Sequence, residues 1–383
     1  MPRLADIVRR HGTSYLARFG DAVLPSHVRA LRSIQLCRTP ALGGHCARCT
    51  QCGQEHVLYH SCRHRACPQC GRDATERWLN RQRDLLLPVP YFHVVFTLPC
   101  ELRGMARSHQ RLLLAVLCRA AFESLAALCR DPKWLGGSIG ALAVLHTWTR
   151  TLGWHPHVHL LVPGGALAPD GRTWLQPPAY RKQYLVPERA LAERFRGRFL
   201  ALARRALPKV TLPNIPWGKR WVVHSKAAMQ QPERVLEYLG RYVHRTALTD
   251  KAIVACTDRD VTFAYRDSQT HQRKLMTLGA HEFLRRFLQH VPLKGLHRVR
   301  AFGLLHPSQR STLRRLQLLL APRQRTEQST HRQPRTRQCP HCHGTAIVLL
   351  YRLTAEQCSN LVERGTAAEP AARGPPTMPA RCT

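Results

Sequence analysis

Residues 154–163 read WHPHVHLLVP, with His155, His157 and His159 at alternate positions ahead of an apolar run. On a β-strand successive side chains point to opposite faces, so the three imidazoles share one face, with Val158, Leu160 and Val162 on the other. Taken singly, each histidine reads as a surface residue on a half-exposed strand. Together, opened by Trp154 and closed by Pro163-Gly164-Gly165, His157 and His159 read as a divalent-metal site, because neutral imidazoles are common metal ligands. Upstream, ALAVLHTWTR (141–150) reads as a second strand, made antiparallel to the first by the turn Thr151-Leu152-Gly153. The register of that hairpin decides the role of His146. With Thr147 opposite His157, His146 points away from the metal; a one-residue shift brings it to the metal side as the third ligand. His155 stays open between a ligand and a residue standing in water.

The chain of 383 residues carries 59 Lys plus Arg against 23 Asp plus Glu, a net charge of +36. An excess of that size repels itself in isolation and calls for a polyanionic partner, most simply nucleic acid. A membrane surface is the main competitor, but the basic residues are spread along the chain. No apolar stretch reads as approaching the roughly 20 residues of a spanning helix. The opening MPRLADIVRRHG is broken by charge before an apolar core forms, so a soluble intracellular protein is expected.

Of the fifteen cysteines, seven lie between Cys37 and Cys70, and such clustering in a reducing compartment points to metal rather than disulfides. Cys49-x-x-Cys52 and Cys67-x-x-Cys70 have the spacing of one tetrahedral zinc ribbon, with Gly53, Pro68 and Gly71 supplying the tight turns. Cys37, His45, Cys46, Cys62 and His64 remain. Cys37, His45, Cys62 and His64 are the candidates for a second zinc. Either ion is expected to be structural, with four protein ligands. Near the other end CPHC (339–342) offers one more knuckle, with Cys358, His341 or His343 as its nearest complements.

Elsewhere the pattern predicts a short helix at 74–87, a strand at Tyr91–Pro99 and a long helix over 101–130. A basic helix is expected to end near Leu207, with strands at RWVVHS (220–225), AIVAC (252–256) and VTFAYRD (261–267), then the helix HEFLRRFLQHV (281–291). Residues 309–338 carry eight arginines and one glutamate with little to build a core, and their later part reads as a solvated basic segment before a loose tail. The expected division is a zinc- and DNA-binding region at 1–85, a main domain at 86–305 and a basic, partly disordered segment at 306–383.

The stretch QPERVLEYLGRYVHR (231–245) reads as a helix opened by Pro232, with Tyr238 and Tyr242 four residues apart on one face. Val235, Leu239 and Val243 form its apolar stripe, and Arg234, Arg241 and Arg245 lie just beyond the tyrosines. By helical geometry alone these are edge-of-core tyrosines beside arginines. In combination with a histidine metal site and a +36 chain they read as nucleophiles for phosphodiester chemistry, with arginines to hold phosphates.

HPHVHLLVPGG followed by EYLGRYVHRTAL resembles the HUH endonuclease pattern, in which two histidines around a bulky apolar residue join a two-tyrosine helix. The nearest likeness is to the rolling-circle transposases of bacterial insertion sequences that begin with a transposase zinc-binding region. The resemblance continues through CRTPALGGH, CTQCG, YHSCRHRACPQC, YFHVVFTLP, VTFAYRD and EFLRRFLQHVPLKGLHRVRAFGLL, covering roughly residues 20–310. It implies an α+β fold: an HUH-type antiparallel sheet flanked by helices, preceded by a small zinc-ribbon domain. It further implies that His157 and His159 hold Mg²⁺ or Mn²⁺ against a scissile phosphate of single-stranded DNA at the element's ends. Tyr238 or Tyr242 would attack to leave a 5′-phosphotyrosine and a free 3′-hydroxyl, and the other would carry out a second strand transfer at the far end of the element, with single-stranded DNA at the ends and the target as partner. With no GxxxxGK[ST] motif in the chain, a host helicase and replication machinery are the expected partners, in the bacterial cytoplasm at the nucleoid. A plasmid relaxase or replication initiator would use the same chemistry; a zinc-ribbon DNA-binding protein without catalysis is the alternative from another class.

Overall fold

The computed structural model describes residues 2–178, 184–229, 247–321 and 338–363. The chain opens with helices α1 (Leu4–Phe19) and α2 (Pro25–Leu36) and a hairpin of β1 (Gly44–Cys49) and β2 (Glu55–Tyr59), followed by α3 (Pro68–Arg83). Strand β3 (Tyr91–Thr97) leads into α4 (Cys100–Ser108) and α5 (Gln110–Arg130), then β4 (Gly140–Trp148) and the histidine strand β5 (Trp154–Pro163). Two short strands, β6 (Ala166–Leu167) and β7 (Trp174–Leu175), precede α6 (Glu188–Ala206) and β8 (Val223–Met229). Then come β9 (Ile253–Cys256), β10 (Asp260–Arg266), β11 (Arg273–Gly279), α7 (Ala280–Leu288), β12 (Val299–Gly303), α8 (Arg310–Leu319), β13 (Ile347–Leu353) and α9 (Ala355–Glu363). The chain is an α+β protein of antiparallel sheets flanked by helices.

The central sheet has the order β12-β4-β5-β3-β8, every pairing antiparallel. Alternation along β5 buries Val158, Leu160 and Val162 on one face. They meet Phe92, Val94 and Phe96 of β3, Ala141, Ala143 and Leu145 of β4, and the apolar sides of α5 and α6 in the largest core of the molecule. Covering one face with two helices gives the apolar/polar alternation expected of an antiparallel strand. The other face is divided. Tyr91, Leu142, Val144 and Leu161 pack there beneath Trp78 and Leu79 of α3 and Leu313 and Leu316 of α8, while the histidines occupy the remainder.

Helix α5 is long and apolar enough to cross a membrane, so the expectation that no stretch approaches that length does not hold. Its Leu113, Leu114, Leu117, Ala121 and Leu125 are buried in the protein core, which accounts for the composition. The long helix expected over 101–130 is two helices, broken at His109, whose φ of −116° and ψ of 43° are not helical. Residues 310–319 are an amphipathic helix rather than part of a coreless basic segment.

Residues from both sides of position 85 share one core. Leu4, Ile7 and Val8 of α1 and Leu31 and Ile34 of α2 share a core with Phe263 of β10 and Phe283, Leu284 and Phe287 of α7. Strand β13 pairs with β1, with Gly44 opposite Leu353 and Cys49 opposite Ile347, so a segment from near the C-terminal end completes the N-terminal sheet. The two-tyrosine stretch, with Tyr238, Tyr242, Arg234, Arg241 and Arg245, lies outside the described residues.

Candidate metal centre and zinc-binding clusters

The β4–β5 hairpin sets the register of the histidines. Thr149 and Gly153 close the turn through the Thr149 N–H to Gly153 carbonyl bond (2.9 Å) and the Gly153 N–H to Thr149 Oγ1 bond (2.9 Å), with Leu152 at φ 63°. Trp148 pairs with Trp154, but His146 pairs with His157: two steps along β4 match three along β5. The extra residue on β5 is a β-bulge, a device common beside functional sites because it re-aims side chains. It supplies the one-residue shift that turns His146 to the metal side. His146, His157 and His159 place one nitrogen each within 4.8 Å of one another. The ring centroids stand 5.5 Å apart for His146 and His157, 4.7 Å for His146 and His159, and 4.9 Å for His157 and His159. His155 is not in the cluster, although its ring is 5.3 Å from that of His157.

The surroundings orient the imidazoles. The Nδ1 of His157 lies 2.7 Å from the carbonyl oxygen of His155, so that nitrogen carries the proton and Nε2 keeps its lone pair. His93 of β3 stacks on His159 with ring planes 7° apart, its Nε2 2.8 Å from His159 Nδ1. With His159 donating in that contact, its Nε2 is the nitrogen left to bind a cation. His146 stacks on Trp148 at 4.4 Å. Burial lowers the pKa of His157, lowers that of His159 well below the ordinary value with the imidazoles of His146, His157 and His93 adding to the effect, and brings His93 to about 4. Neutral imidazole is the form that ligates metal. The Arg103 guanidinium lowers His157 further, and Lys226 does the same to His93, so cations flank the cluster. His93, Arg103 and Lys226 were not evident from sequence: none stands in a motif, and the strand pairings of β3 with β5 and β8 bring His93 and Lys226 in.

Three neutral imidazoles fit a divalent ion with open coordination positions. Among described residues no carboxylate joins them. A nitrogen-only set suits a transition-metal ion better than the harder Mg²⁺, which takes mostly oxygen.

The cysteines form two clusters rather than one ribbon across Cys49, Cys52, Cys67 and Cys70. Cys37, Cys62, Cys67 and Cys70 converge, with Sγ–Sγ separations of 3.6 Å for Cys37–Cys70 and for Cys62–Cys70 and 3.7 Å for Cys37–Cys67. Four thiolates about 2.3 Å from a tetrahedral zinc stand about 3.8 Å apart, so the spacing fits that ion. The contacts among these sulfurs lower the pKa of the Cys70 thiol and raise those of Cys62 and Cys67. Cys49 and Cys52 group instead with Cys339 and Cys342. The physical reason is the β1–β2 hairpin: Cys37 and Cys62 flank its base and Cys49 and Cys52 lie at its tip, six residues of strand away, or roughly 20 Å.

His45, Cys46, His64 and Cys358 lie outside both four-cysteine clusters. His45 lies against His60, with Nδ1 and Nε2 3.0 Å apart; His64 Nδ1 accepts the Ala66 N–H at 3.2 Å. Cys46 and Cys358 are buried together with Leu353 in a small apolar cluster, so Cys358 does not complete the C-terminal knuckle.

The chain is strongly basic and carries two four-cysteine clusters, each fit to hold a zinc ion, and a separate three-histidine cluster on its central sheet. Residues 140–312 match the family described as "Putative transposase" and residues 7–98 the one described as "Transposase zinc-binding domain". The chain is 39% identical over 383 residues to "Putative transposase y4qJ" of Sinorhizobium fredii, covering 91% of this chain and 95% of that protein. To the transposase for insertion sequence element IS801 of Pseudomonas savastanoi pv. phaseolicola it is 30% identical over 302 residues, 73% of this chain and 70% of that one. The chain belongs to this family of insertion-sequence transposases with an N-terminal zinc-binding domain.

Proposed function

We propose that this transposase is a metal-dependent tyrosine nuclease of the HUH type, cutting single-stranded DNA at the ends of its element. The observation that carries the reading is the convergence of His146, His157 and His159 on one sheet face through the β-bulge. These three residues would hold Mn²⁺ or Mg²⁺, which when bound polarises a phosphate oxygen. Arg103 and Lys226 neutralise the phosphate, and His93 fixes the ring of His159. Tyr238 or Tyr242 attacks the scissile phosphorus. The Tyr Oη–P bond forms as the P–O3′ bond breaks, the phenolic proton leaves to solvent, and the 3′-oxygen departs to become a free 3′-hydroxyl. The second tyrosine repeats the exchange at the other end, and the 3′-hydroxyl primes copying by host polymerase. Duplex unwinding falls to a host helicase.

Incubation with 3′-labelled single-stranded oligonucleotides from both ends of the element tests this. Label that migrates with the protein through a denaturing gel, only when Mn²⁺ or Mg²⁺ is present, is the expected result, with Mn²⁺ effective at the lower concentration. Unchanged binding with no cut strand under any divalent ion would leave a DNA-binding protein without nuclease activity.

His93 is expected to act through His159. His93→Ala should weaken Mn²⁺ binding about 10–100-fold, as loss of a ligand's orienting partner does. Cleavage should return at saturating Mn²⁺, and His93→Gln, which keeps an acceptor, should recover part of the affinity. A Mn²⁺ titration that is the same for His93→Ala and the parent protein would refute that role.

A further inference from the structure

We propose that Cys49, Cys52, Cys339 and Cys342 bind a second structural zinc, which clasps the C-terminal segment onto the tip of the N-terminal hairpin. Two of the four ligands lie beyond both family matches, which end at 98 and 312. The Sγ atoms stand within 4.8 Å of one another, with Cys49–Cys342 at 3.5 Å and Cys52–Cys339 at 3.7 Å, close to the edge of a zinc tetrathiolate. All four cysteines are free of disulfides.

The two knuckles are built alike. In the first, the Gly53 N–H donates to the Cys49 carbonyl at 2.9 Å with Gly53 at φ 73°; in the second, the His343 N–H donates to the Cys339 carbonyl at 3.0 Å with His343 at φ 60°. His343 takes the left-handed conformation that Gly53 takes in the first knuckle. The His341 N–H also points to Cys339 Sγ at 3.4 Å, a donor aimed at a thiolate.

Apart from the cysteines, the segment is held by the β13–β1 ladder and a small apolar cluster. The paired ligands are 293 and 287 residues apart in sequence, so strand pairing and apolar burial must work against a long closure. Strand β13 makes its ladder to β1 but leaves Val348–Arg352 exposed. Among the described residues, the apolar cluster beneath it buries Cys46, Leu353 and Cys358, with Val57, Tyr59 and Leu361 partly buried against them. By contrast, the Cys37–Cys62–Cys67–Cys70 cluster is local in sequence, with Cys37, Cys67 and Cys70 in the core shared by α1, α2 and α7. One ion serves the N-terminal core and the other joins the chain's two ends. The solvent exposure of Cys342 makes the clasp the cluster that chelators reach first.

The test uses the full chain with a protease site inserted between residues 324 and 330. The parent should carry two zinc ions per chain by elemental analysis, and Cys339→Ser/Cys342→Ser should carry one. After cleavage, the C-terminal fragment should co-elute with the remainder in the parent and separate in the double variant. Cys342→His, which keeps a zinc ligand, should restore both the second zinc and co-elution. Cys100→Ser, an exposed cysteine outside both clusters, should change neither. Equal zinc content in the parent and the double variant, or a fragment equally retained in both, would overturn the proposal.

Discussion

Replacing His157 and His159 together by alanine is expected to lower single-strand cleavage by about 10³-fold or more, because the ion whose charge offsets the developing negative charge is lost. Binding of single-stranded DNA should change by no more than about threefold, since phosphate contacts by Arg and Lys supply most of that affinity. The fold should survive, because the rings stand on the sheet face opposite the α5–α6 core and Val158, Leu160 and Val162 still anchor the strand. Mn²⁺ binding by calorimetry should vanish along with cleavage. Cleavage at the parental rate with Mn²⁺ binding abolished would separate this site from the chemistry.

The second large effect is expected at Cys67, buried in the core that joins α1 and α2 to α7. Cys67→Ser removes one of four thiolates and places a hydroxyl among Cys37, Cys62 and Cys70. Structural zinc in small modules contributes on the order of 10 kcal/mol of folding free energy, so even partial loss exceeds the whole stability margin of many domains. The expected outcome is loss of one zinc and a thermal transition lowered by 10 °C or more (of the order of several kcal/mol). A variant with parental zinc content and an unchanged transition would show that this cluster is not a metal site.

Period-2 alternation in HPHVHLLV identified β5, its buried face and its pair of histidines, because an antiparallel strand half covered by helices carries that pattern on its surface. The same rule could not place His146: the bulge changes the pairing between Trp148 and His146, and no residue signature announces it. His93 was silent for a different reason. A lone histidine in an apolar strand carries no spacing signal, and only the pairing of β3 with β5 shows its ring against His159. Cysteine spacing found the knuckles but joined the wrong two, since it reads proximity along the chain and the β1–β2 hairpin carries Cys49 and Cys52 away from Cys67 and Cys70. Strands β11, β12 and β13 were missed where arginines and lysines interrupt short apolar runs (RKLMTLG, VRAFG) or where the strand is an edge whose partner is some 300 residues away in sequence.

Covalent joining of a tyrosine to DNA is the step that sets this chemistry apart. It is tested most directly by trapping the adduct on a 3′-labelled strand with Mn²⁺, digesting it and locating the modified peptide by mass spectrometry. A phosphonucleotide is expected on the peptide containing Tyr238 and Tyr242, lost in Tyr238→Phe/Tyr242→Phe, with each single variant retaining transfer at one end of the element. An adduct that persists in the double variant, or one mapped to any other residue, would contradict it.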